Sequence, residues 1–134
     1  MNETRERTTD NPWDEFTIHT YTTQDGINDG VLVELDTYTK TLASVKPDVQ
    51  LIASRSIFEW IGSGSLTNQV RTDLAVITRT GLTEVSARMR AGDSARDASL
   101  VRISYRDRDD IFIDLGVADD GVTPKITLMF SEDL

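Results

Sequence analysis

Apolar residues recur along this chain with two different periods, and the change of period divides it. Val70, Leu74, Ile77, Gly81 and Val85 step by four, three, four and four, which is a helical stripe. Ala75, Leu82, Ala87 and Met89 widen the stripe, and a wide apolar face belongs to a largely buried helix. The pattern predicts one long helix over residues 68–91, capped by Thr67 or Asn68 and ended by Gly92, with Gly81 as a point where it can break in two. Beyond Gly92 the period falls to two. Residues 100–105, 111–117 and 125–130 alternate apolar and polar, and read as a three-stranded antiparallel meander.

The register of that meander can be worked out from parity. Val101, Ile103 and Tyr105 share a face with Ile111, Ile113 and Leu115 only if paired positions sum to an even number, as when Tyr105 opposes Asp109. This pairing predicts a three-residue loop over residues 106–108, with Asp107 or Arg108 in the left-handed conformation that such loops need. Asp119-Asp120-Gly121 turns the second hairpin.

The first half carries shorter signals. Residues 1–15 mix charge and threonine without a period and read as a flexible tail, so the folded domain is expected over residues 16–134. Residues 16–22 alternate as a strand, and a turn or two of helix follows before Asp29-Gly30. Residues 31–35 and 49–53 are β-rich. Residues 36–45 suit a short helix ended by Lys46-Pro47, since the residue before proline avoids the α region. Ser54 looks like the cap of another helix over residues 55–61, stopped by Gly62 and followed by the loop Gly62-Ser63-Gly64-Ser65. The fold expected is α+β: a small antiparallel sheet, mainly the C-terminal meander, packed against one long helix plus short helices.

At 134 residues and 38% hydrophobic, the chain can bury one continuous core without staples. It has no cysteine, hence no disulfide framework and no thiolate metal site. No apolar run is long enough for a membrane helix and none reads as a secretory signal, so the expected location is the cytoplasm of whatever cell expresses the chain. The net charge of −9 argues against direct nucleic-acid binding, which needs Lys and Arg to neutralise phosphates, and favours basic partners. The charge is concentrated. Residues 107–120 hold Asp107, Asp109, Asp110, Asp114, Asp119 and Asp120 against the single base Arg108.

Little else invites chemistry. His19 is the only histidine, and no nucleophile or metal-ligand spacing accompanies it. The Ser63/Ser65 loop is neither a nucleophile elbow nor a phosphate-cradling loop, which would carry a Lys. Asp25, Asp29 and the Asp107–Asp110 cluster are oxygen ligands without the twelve-residue spacing of a calcium loop. Phe58 and Trp60 on one short helix suit core packing, with an interface anchor as the other reading. On the middle strand of the meander Asp110 and Asp114 share the face opposite Ile111 and Ile113. Arg102 and Arg106 on the neighbouring strand are expected to neutralise them unless a partner does.

The stretch from Tyr21 through Asp29-Gly30-Val31-Leu32-Val33, the segment Arg71…Asp73-Leu74, and the ending Asp119-Asp120-Gly121…Pro124-Lys125-Ile126-Thr127-Leu128 resemble a family of uncharacterised small proteins carried on bacterial plasmids, integrative elements and phages. Members of that family often lie near antirestriction genes. The resemblance implies a mobile-element protein, placed in the cytoplasm of a bacterial host cell, and carries over no functional residue. The expected function is that of a small acidic, non-enzymatic protein that inhibits a host defence or nucleic-acid-processing protein by binding its basic surface, as an anti-CRISPR or antirestriction DNA mimic does. The six aspartates 107, 109, 110, 114, 119 and 120 would form the contact, and no cofactor is expected. The alternative is an accessory protein of the element whose acidity serves only solubility. The sequence sets no oligomeric state.

Overall fold

The structure, a computed structural model, describes residues 21–62 and 64–133. The expected tail, the strand over residues 16–22, His19 and Ser63 fall wholly or mainly outside that range.

Four α-helices and five strands follow one another in the described chain. Helix α1 (Thr23–Asp29) begins in a reciprocal capping box: Asp25 N donates to Thr22 Oγ1 at 3.0 Å, and Thr22 N donates to Asp25 Oδ2 at 3.1 Å. It stops at Gly30, whose φ of 82° is cheap only for glycine. Strand β1 (Leu32–Glu34) leads to α2 (Thr37–Leu42), which Asp36 caps through Thr39 N at 2.9 Å. Strand β2 (Gln50–Ser54) runs straight into α3 (Arg55–Gly62), with Ser54 Oγ accepting from Ile57 N as the sequence suggested. Helix α4 (Asn68–Arg90) is capped by Thr67 and runs unbroken. The meander follows as β3 (Leu100–Tyr105), β4 (Arg108–Val117) and β5 (Pro124–Phe130).

The strands form one sheet in the order β1-β2-β5-β4-β3. The α+β class, the meander and the long helix packed on it are as expected. The sheet is larger than the meander, however, and mixed: β2 lies parallel to β5, with Leu51 opposite Ile126 and Ala53 opposite Leu128. Leu51, Ala53, Val101, Ile103, Ile111, Ile113, Ile126, Leu128 and Phe130 point to one face and bury against Ile57, Phe58, Val70, Leu74, Ile77 and Val85 of α3 and α4. Gly81 does not break α4. An added Cβ there would stand 2.2 Å from Ile113 Cγ1, so the glycine lets the helix pass close over the sheet. Helix α1 lies on the other face, with Gly26 against Leu32.

The first hairpin corrects the expected turn. Val101 opposes Ile113 and Ile103 opposes Ile111, the even-sum register derived above. A bulge between Ile103 and Tyr105 then shifts the pairing so that Tyr105 opposes Arg108 and the loop has two residues. The left-handed residue is Arg106, with φ of 55°, rather than Asp107 or Arg108.

Candidate functional site

The six aspartates do not form one patch. Strand β4 is ten residues long, about 30 Å at the strand rise, and it separates them into two ends with Asp114 between.

At the β3–β4 turn, Asp107 is exposed with no hydrogen bond to the described residues. The Asp109 side chain is 81% exposed and meets Arg102 at 3.7 Å. Asp110 is different. Arg108 grips it with two bonds, of 2.9 and 2.7 Å, and Ser131 Oγ adds a third at 3.2 Å. That guanidinium pulls the Asp110 carboxyl down to about 2, and the Arg108 ring-stacked position is fixed by Phe130, 3.6 Å below it. The pairing expected from the sequence, Arg102 and Arg106 neutralising Asp110 and Asp114, is therefore not found. Arg102 meets Asp109, and Arg106 turns inward to Asp73.

Asp73 was not singled out by its charge, but its position was visible: it stands on the α4 stripe between Val70 and Ile77. It is buried and accepts from Tyr105 Oη and from Arg106, both at 2.7 Å. Burial, and then the bond to Asp73, raises the Tyr105 phenol. Trp60 closes this corner edge-on to Tyr105 and Phe130, so it is a packing residue with Arg106 near its ring. Asp114 projects from the α1 face of the sheet. Burial raises its carboxyl against the pull of Lys125.

At the opposite end, Asp119 reaches across to the start of α1. Its two oxygens accept from Thr23 N and Gln24 N at 2.9 Å each, and these backbone donors hold its carboxyl low. Asp120 ties its own turn, accepting from Thr123 Oγ1, Val122 N and Thr123 N, and is likewise lowered. Both line an open groove of about 370 Å³ together with Glu34, Asp48, Gln50 and Lys40. Lys40 Nζ donates to the Pro47 carbonyl at 3.1 Å. Gln50 Nε2 donates to Glu34 at 3.4 Å, and Gln50 Oε1 is the one buried side-chain polar atom without a partner among the described residues. Glu34 and Asp48 were not among the expected contact residues. Glu34 ends β1 and Asp48 lies in the turn before β2, and nothing in the local sequence marks them as neighbours of Asp119.

Chemically, the groove offers carboxylate acceptors to a cationic group. Among the described residues no three His, Cys, Asp or Glu side chains converge as a metal-ligand set, and no helix is long and apolar enough to cross a membrane. No family model, curated protein or solved structure matches this chain.

Proposed function

We propose that this protein is a non-enzymatic inhibitor carried by a mobile element, which binds the basic surface of a host defence or nucleic-acid-processing protein. The observation that carries the reading is the groove bounded by Glu34, Asp48, Asp119 and Asp120. Carboxylates from three separate parts of the chain gather there around an open depression, at one end of a molecule of net charge −9. Asp107 and Asp109 add a second exposed acidic point at the other end of β4. Surfaces of one sign steer oppositely charged partners, and the resemblance to mobile-element proteins supports a host target.

A second reading is favoured by a specific observation. Asp109, Asp110, Asp119 and Asp120 all engage groups of this same chain. Carboxylates with such internal work need no partner, which suits an accessory protein whose acidity serves solubility.

The test is capture from host lysate with mass spectrometry, followed by affinity measurement on the recovered partner. Two variants are compared with the natural chain: Glu34→Gln with Asp48→Asn, and Asp107→Asn with Asp109→Asn. Under the inhibitor reading the groove pair weakens binding about tenfold, and binding falls steeply with salt as the Debye length drops from about 10 Å at 0.1 M to about 3 Å at 1 M. Binding indifferent to both pairs and to salt would leave the solubility reading standing.

A further inference from the structure

Asp119 is held by a segment far away in the chain. Thr23 N and Gln24 N, 96 and 95 residues distant, take up both of its oxygens. The neighbouring Lys125 Nζ adds a bond to Thr23 Oγ1 at 2.9 Å. Among the described residues helix α1 has little other attachment along its length, with Gly26 its only buried residue. Its far end is firm: Arg55 Nε donates to the Gly30 carbonyl at 2.9 Å and Arg55 N to the Val31 carbonyl at 2.8 Å. A helix of seven residues does not persist by itself in water. Helix α1 is thus fixed at Gly30, tied at Asp119, and lightly packed between.

The tie lies at the acidic groove, because Gln24 and Asp119 both line it. A guanidinium entering the groove needs acceptor oxygens, and its bonds to a carboxylate belong to the same charge-assisted class as those the two amides make to Asp119, with a paired geometry that the amides lack. The geometry points to a latch: Asp119 holds the start of α1, and a cationic side chain bound in the groove competes for that carboxylate and releases the helix. The inference rests on the groove being the binding site.

Hydrogen exchange with mass spectrometry on the full chain tests it, with a hexa-arginine peptide as the probe. Asp119→Ala should speed exchange in Thr23–Asp29 roughly fivefold, the factor expected for loss of a helix cap, while α4 and β4 keep their protection. Asp93→Ala, at an exposed carboxylate just beyond α4 and away from the groove, should leave α1 as it is in the natural chain. Saturating peptide should speed the same α1 amides in the natural chain. Unchanged protection of α1 in Asp119→Ala overturns the latch. A peptide that binds by calorimetry yet leaves α1 exchange unchanged overturns the release and spares the groove. A peptide that does not bind at all overturns the groove reading and the release with it.

Discussion

Arg106 donates to the buried Asp73 carboxylate at 2.7 Å, and it is also the left-handed residue of the β3–β4 turn. The two facts are linked. A turn that placed glycine at this position would relax the backbone but leave Asp73 with one strong donor fewer.

Arg106→Ala is therefore expected to destabilise the protein by about 1–3 kcal/mol, the cost of leaving a buried acceptor short of a partner. Arg106→Gly should lose less, because it removes the strain of a φ of 55° along with the bond. Urea denaturation of the two variants checks the order. Equal losses would show that the turn conformation stores no strain.

Gly81→Ala should destabilise despite alanine's helical preference. Overpacking costs about 1–3 kcal/mol, against a gain of up to about 1 kcal/mol from propensity, and the new methyl would meet Ile113 at 2.2 Å. Ile113→Ala, which removes that Cγ1, should cost less in the Gly81→Ala chain than in the natural one. Thermal unfolding of the single and double variants measures the coupling, and additive effects would refute the close crossing.

Acid should weaken the fold in a defined window. The Asp110 carboxyl is depressed to about 2 by Arg108, so its stabilisation is complete above the unfolded value near 3.9 and is lost as pH falls from about 4 towards 2. Asp36, Asp119 and Asp120 are lowered too and act in the same direction. Urea midpoints between pH 2 and 5 should fall with acid, and Asp110→Asn should flatten part of that slope.

Asp114 works with the opposite sign. Burial raises its carboxyl, so ionisation at neutral pH opposes folding. Asp114→Asn should raise the urea midpoint at pH 7 and change it little at pH 3, where the natural side chain is already protonated. A loss at pH 7 would mean that the attraction to Lys125 outweighs the burial.

The meander was legible because strict alternation leaves few registers, and the pairing of Val101 with Ile113 follows from it. The pairing of β2 with β5 left no mark, since a short apolar run fits beside any strand of matching face. The acidic run was visible as composition, but its partners were not. Asp119 meets Thr23 and Gln24, and Asp110 meets Ser131, through contacts that only the folded chain creates. This has a practical result. Replacing Asp107, Asp109 and Asp110 together would disturb the Arg108 grip as well as the surface charge, so Asp107 and Asp109 alone are the cleaner probe.

The middle of the sheet is occupied by the strand that comes last in the chain among the five described. Strand β5 joins β2 to β4, and its partner residues Leu51 and Ile126 are some 75 positions apart. During synthesis the β1–β2 pair must wait, with one side open, for a strand made much later. Closing such distant pairs makes folding slow, and unpaired strand edges attract other chains in the meantime. Asp48, exposed at the entrance to β2, places a negative charge beside that waiting edge. A charge at that edge helps keep the growing chain from aggregating, whatever the acidity does in the finished molecule.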